Sequence, residues 1–220
     1  MNMNPDEQSE ILLMEYAAGV LDDTCSLLVA SYITLSPKAR RYVRYCESLG
    51  GKLMEKDCAP VAMERSSLHA VLDRLETMCP ENAPPPSKMP DLWAQYRLPA
   101  PLASYLRDHH QNGKWHYFSP GFHYYRLGNC AGKNDMTLVR LAPGARIARH
   151  THRGTELTLI LEGGYEDEYG RYQAGELIIT DETITHQPVA TPEGCLSITV
   201  SNAPPRYTGA LYSLLNLFTR

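Results

Sequence analysis

Residues 79–101, CPENAPPPSKMPDLWAQYRLPAP, contain seven prolines in twenty-three positions. Proline fixes φ and has no backbone N–H, so neither a long helix nor a central strand can run through such a stretch. The segment reads as a stiff, partly extended linker between two halves of different character. The halves have different periodicities. Before the linker, apolar residues recur every three or four positions; after it, short apolar or alternating runs follow one another between glycine-containing turns.

Four helices are expected before the linker. Ser9 can cap the first, with Ile11, Leu12, Tyr16 and Ala17 on one face and Gly19 as its stop. The second runs from Asp22 or Asp23 to Leu35, burying Leu27, Leu28, Ala30 and Ile33. Ser36 as cap and Pro37 at the first helical position restart the chain. Tyr42, Val43, Cys46, Leu49 and Leu53 mark that third helix, with Gly50 and Gly51 as an expected bend. The fourth fits 64–78, where Leu68, Val71, Leu72, Leu75 and Met78 share a face. Beyond the linker, strands are expected at 115–118, 122–127, 136–142, 157–162, 165–169, 176–180 and 195–200. Many short strands without a helical stretch call for an antiparallel barrel or sandwich.

The net charge of −4 argues against a general nucleic-acid binder. Residues 1–80 hold 8 Lys/Arg against 12 Asp/Glu, so the rest is formally neutral. The start, MNMNPDEQSE, lacks the basic-then-apolar pattern of a secretory signal, and no apolar run is long enough to cross a bilayer. Six scattered cysteines, at 25, 46, 58, 79, 130 and 195, read as reduced thiols. A cytoplasmic protein without membrane contact is expected.

The chemistry concentrates at 149–164, RHTHRGTELTLILEGG. His150 and His152 are two residues apart and project from one face of a strand, and Glu156 follows within the next turn. His186, on a later strand, supplies a fourth donor. Imidazole and carboxylate together suit a divalent transition metal, with zinc, iron, manganese, nickel and copper all open at this point. His109, His110, His116 and His123 have no partner at a meaningful spacing and read as ordinary side chains.

The spacing G-x5-H-x-H-x3-E-x6-G, from Gly144 through His150, His152 and Glu156 to Gly163, resembles the first motif of the cupin superfamily. Gly175 to His186 is similar, more loosely, to the second. The resemblance implies a jelly-roll β-barrel that holds one metal through His150, His152, Glu156 and His186. Such a barrel hosts dioxygenases as well as sensors, so it does not by itself name a function.

The helical half is more specific. LLMEYAAGVLDDTCSLLVASYITLSPKARRYV, with YAAG at 16–19 and GGKLMEK downstream, resembles the N-terminal domain of ChrR-type anti-sigma factors, which join a helical sigma-binding domain to a cupin. The resemblance implies an all-α domain over 1–79, a linker over 80–101 and a cupin over 102–220. It implies a 1:1 complex with an extracytoplasmic-function sigma factor, zinc in the cupin with iron, manganese or nickel as other candidates, and a response to an oxidant such as singlet oxygen. It also leaves room for a homodimer through the cupin. One departure stands out: the H-x3-C-x2-C zinc motif of that helical domain falls on Tyr32, Ser36 and Ala39. No zinc is therefore expected there, and Cys25 and Cys46 read as packed helix residues. A regulator that has lost its sigma partner is the weaker reading this departure suggests.

Residues 6–23 carry six acidic side chains and no basic one. Glu7, Glu10, Glu15, Asp22 and Asp23 form a candidate face for a basic partner surface. The alternative function is a metal-dependent, dioxygenase-like cupin enzyme using the same four ligands. No further general acid or base has a placed role in the motifs, so no catalytic residue is assigned.

Overall fold

The computed structural model describes residues 5–78, 88–110, 112–128 and 134–208. Helix α1 spans Pro5–Ala17, α2 Asp23–Leu35, α3 Pro37–Asp57 and α4 Ser67–Met78. The first begins four residues before Ser9, because Pro5 suits a helix start. The others start where their caps dictate: Asp22 accepts from the Cys25 N–H at 2.8 Å, and Ser36 Oγ accepts from the Ala39 N–H at 3.3 Å. At Gly50 and Gly51 the helix is not interrupted, and α3 continues to Asp57. Helix propensity costs at two glycines are about 1 kcal/mol each and are outweighed by the rest of a 21-residue helix.

Two shorter helices follow, α5 (Asp91–Ala94) and α6 (Ala100–His109). The proline-densest residues expected in the linker, 79–87, lie outside the described residues. The remainder of that segment is packed: Trp93 is 1% exposed, donates from Nε1 to the His110 carbonyl at 2.9 Å, and meets Tyr125 edge-on at 4.7 Å.

Among the described residues, ten strands make two antiparallel sheets. The strands are β1 (His116–Ser119), β2 (Phe122–Gly128), β3 (Asp135–Leu141), β4 (His150–Thr151), β5 (Glu156–Glu166), β6 (Arg171–Gln173), β7 (Leu177–Thr180), β8 (Thr185–His186), β9 (Val189–Ser201) and β10 (Arg206–Tyr207). The large sheet runs β1-β2-β3-β9-β5-β6 with β7 also on β5; the small one runs β10-β4-β8. The runs expected as separate strands at 157–162 and 165–169 are one strand interrupted by two bulges. Gly163 makes this possible: it has φ +63°, and a Cβ there would lie 2.1 Å from the Gly194 carbonyl oxygen.

Strand alternation gives the large sheet two apolar faces. Leu157, Leu159 and Leu161 of β5, Leu138 of β3 and Leu196, Ile198 and Val200 of β9 point one way. They share a core with Leu12 and Leu13 of α1, Leu28 and Val29 of α2, and Leu102 and Leu106 of α6. The intervening residues Ile160, Leu141 and Cys195 face the other way, toward the small sheet, with Phe122 and Tyr165. A polar contact reinforces the junction: Asn134 Nδ2 donates to Asp22 Oδ2 at 2.5 Å and to Cys25 Sγ at 3.5 Å.

Because Trp93 is part of this shared core, Trp93→Ala should cost about 3–5 kcal/mol of unfolding free energy, measured by urea denaturation. A change near zero would mean that residues 88–99 act as a spacer.

Candidate metal centre

The small sheet exists to place histidines. His150 on β4 and His186 on β8 are directly opposite in register, and Tyr207 on β10 flanks His150 from the other side. His152 follows β4 by one residue. All three imidazoles are buried, at 5, 3 and 4% exposure. Their Nε2 atoms converge: His186 Nε2 is 3.2 Å from His152 Nε2 and 3.2 Å from His150 Nε2. These three form the one cluster of potential metal ligands among the described residues, with donor atoms within 4.8 Å of one another.

The far ring nitrogens are turned outward to acceptors. His150 Nδ1 lies 2.9 Å from the Ala148 carbonyl, and His186 Nδ1 lies 2.8 Å from Asp167 Oδ2. Each Nδ1 carries the proton in that arrangement, which leaves Nε2 as a lone-pair donor aimed inward. His152 Nδ1 is 3.7 Å from Glu156 Oε2. Glu156 thus lines the same interior but stands outside the three-histidine cluster, beside the outer nitrogen of His152.

Burial controls the charges. It pushes His150 down to about 4 and His152 down to about 3, each aided by repulsion from the neighbouring imidazoles. All-neutral imidazoles are the form that ligates a metal. Burial also pushes Glu156 up to about 7, opposed by a hydrogen bond from Thr158 Oγ1 at 3.3 Å.

Asp167 is the residue that sequence reasoning missed. It lies in the turn after β5, nineteen positions from His186, where no spacing rule connects the two. Its side chain is almost fully buried, and its neighbour Glu168 accepts from the Gln187 N–H at 3.0 Å and pairs with Arg149. The turn therefore grips both β8 and the entry to β4. Tyr207, outside any motif, closes the wall beside His150 with ring centroids 5.9 Å apart.

The other expected positions sort clearly. Ser36 is committed to capping α3, Ala39 is buried, and Tyr32 packs half-buried against the shared core. Among the candidate partner residues, Glu7, Glu10, Asp22 and Asp23 are exposed and Glu15 is half-buried. Asp22 is engaged by Cys25, Thr24 and Asn134. His109, His116 and His123 lie away from the centre, and His110 supports the Trp93 and Tyr125 cluster.

Residues 106–204 match the family model described as the ChrR Cupin-like domain. Over 213 residues the sequence is 34% identical to the Anti-sigma-E factor ChrR of Cereibacter sphaeroides, covering 96% of each chain. The structure is similar to a chain in the crystal structure of Rhodobacter sphaeroides SigE in complex with the anti-sigma ChrR, at 31% identity and a TM-score of 0.67, covering 87% of this chain and 96% of that one. No helix among the described residues is long and apolar enough to cross a membrane.

The raised Glu156 value fixes a pH dependence for metal-free protein. A carboxyl with a folded pKa above its unfolded value stabilises the fold fully below about 4.5, and that contribution is lost as pH rises toward 7. The depressed histidines act oppositely, stabilising above 6.5 and failing as pH falls toward 4 and 3. Glu156→Gln should therefore gain Tm relative to wild type between pH 5 and 8, with chelator present throughout. A pH-independent difference would show that Glu156 titrates normally.

Proposed function

The chain belongs to the ChrR family of anti-sigma factors, and from that premise we propose that its helical half captures an extracytoplasmic-function sigma factor 1:1 while the cupin-like half adjusts that capture through a bound metal. Membership in an anti-sigma family replaces the dioxygenase reading. The functional division we infer runs through a helical unit over 1–79, a connecting segment over 80–101 and a metal unit over 102–220, acting in the cytoplasm.

The observation that carries the proposal is the two-faced large sheet. Its strands put the interior that the histidines line on one side and α1, α2 and α6 on the other, so Glu156 of β5, beside His152, is one residue away from Leu157, which packs toward the helices. The donor set fits a metal. Nitrogens 3.2 Å apart match the edge of a tetrahedron whose centre is about 2.0–2.1 Å from each. His150, His152 and His186 would hold the ion, with Glu156 as the nearest carboxylate, and zinc is the metal we propose. A bound ion would tie β4, β8 and the turn at Asp167 together, and an oxidant that damages a histidine would untie them.

The sigma-facing surface we propose is the exposed apolar side of α3 and α4. Leu49, Leu53 and Met54 of α3 and Leu68, Val71, Leu72 and Leu75 of α4 are 46–67% exposed. An amphipathic helix with its apolar stripe in water marks a partner site. The acidic residues Glu7, Glu10, Glu15 and Asp23 would speed encounter with a basic sigma surface. Asp22 contributes less, being committed to its cap.

Two experiments test this. Purified protein should contain about one equivalent of metal, lost in a His150→Ala, His152→Ala double variant; Asp167→Asn should weaken metal affinity about 10–100-fold by freeing the His186 ring. Co-expression with a sigma factor encoded beside it should yield a 1:1 complex, abolished by Leu72→Asp with little change in the Tm of the free protein. A wild-type protein that fails to copurify any such sigma factor would sink the regulatory reading.

A further inference from the structure

The interior beside the three histidines is not filled by side chains. The cavity there has a volume of about 620 Å³, inside the range of about 300–1,000 Å³ that small-molecule sites occupy. A core that served only stability would be packed closed. Here Val139 and Thr199, in the middle of the central strands β3 and β9, remain half-buried because they border open space. The wall is segregated by chemistry. Tyr207, next to His150, stacks on Phe118 at 6.0 Å, and Phe118 packs on Phe122 at 4.9 Å, giving an aromatic side. His150, His186 and Glu156 form the polar end.

We propose that this cavity binds a small monocarboxylate with a short alkyl or aryl body, acting as an effector of the regulator. The inference rests on the metal reading above. Imidazole ligands bring no negative charge, so a divalent ion held by His150, His152 and His186 stays positive even with Glu156 nearby, and an uncompensated charge in a buried site is costly. A carboxylate head supplies the missing charge at the polar end, while the body displaces water from the aromatic wall. Neither Glu156 nor the hydroxyls of Thr158 and Ser197 can do the second task. Because Ser197 and Thr199 alternate with Leu196, Ile198 and Val200 on β9, an occupant in the cavity presses on the strand that α2 packs against.

The test is calorimetric titration of the zinc-loaded, full-length protein with octanoate and with phenylacetate, using acetate as the head without a body. At least one of the two probes should bind saturably at one per chain, and acetate at least about tenfold more weakly, since each buried methylene contributes about 0.8 kcal/mol. Val139→Trp, which fills the cavity away from the ligands, should keep its zinc and lose probe binding at least about tenfold. Thr199→Leu is the milder intrusion and carries the test if the tryptophan variant does not fold. A zinc-loaded wild type that takes up neither probe overturns the proposal, as does undiminished binding in a folded, zinc-containing variant. A preparation that takes up no zinc at all overturns the metal reading with it, and metal analysis tells the two failures apart.

Discussion

Everything in this molecule depends on the large sheet being apolar on both faces. A two-sided sheet must be covered twice, and here each cover does a different job. One cover is the small sheet, which is only six residues of named strand and has little apolar surface of its own. The other is helical. Leu28 and Val29 of α2 and Leu102 and Leu106 of α6 are fully buried in the one cluster that also holds Leu159 and Ile198. Without the helices, a row of leucines and isoleucines would face water; without the small sheet, the interior would be open and the histidines unplaced.

Such a sheet is intolerant of register error. A slip by one residue exchanges the faces of a strand, sending Leu159 inward and Thr158 toward the helices. The bulges at Ile160/Glu162 and Gly163/Tyr165 allow β5 to follow β9 over nearly its whole length while correcting the alternation. Glycine at 163 is a requirement of that correction, since its backbone passes against Gly194 with no room for a side chain.

Much of this was legible in the sequence, for reasons that differ by element. The helix start at Asp22 or Asp23 and the cap at Ser36 are local features, because a side chain three residues from an orphan N–H leaves few options. His150, His152 and His186 were found because strand alternation and motif spacing are also local rules. Glu156 is expected in the same set, and its carboxylate lies 3.7 Å from the outer nitrogen of His152. Spacing brings a residue to a neighbourhood but does not set the direction of a flexible carboxylate. Asp167 and Trp93 were invisible for the opposite reason. Their partners, His186 and the ring of Tyr125, are long-range, and nothing in a turn of acidic residues or a proline-rich stretch announces a buried contact.

The two covers also explain how a buried, charge-poor centre can influence a surface helix. Burial holds His150 and His152 neutral, so a cation bound there would change the local charge at the inner face without altering the apolar contacts of the outer one. What passes through the sheet is then displacement rather than charge. The core between the large sheet and the helices is packed, and a packed core transmits small shifts instead of absorbing them. A tenfold change in partner binding needs a differential stabilisation of only about 1.4 kcal/mol. That is comparable to a modest repacking of one apolar side chain, and β9 presents several such side chains to α2. A single strand whose alternate residues face the cavity and the helices is the element through which the proposed coupling would run.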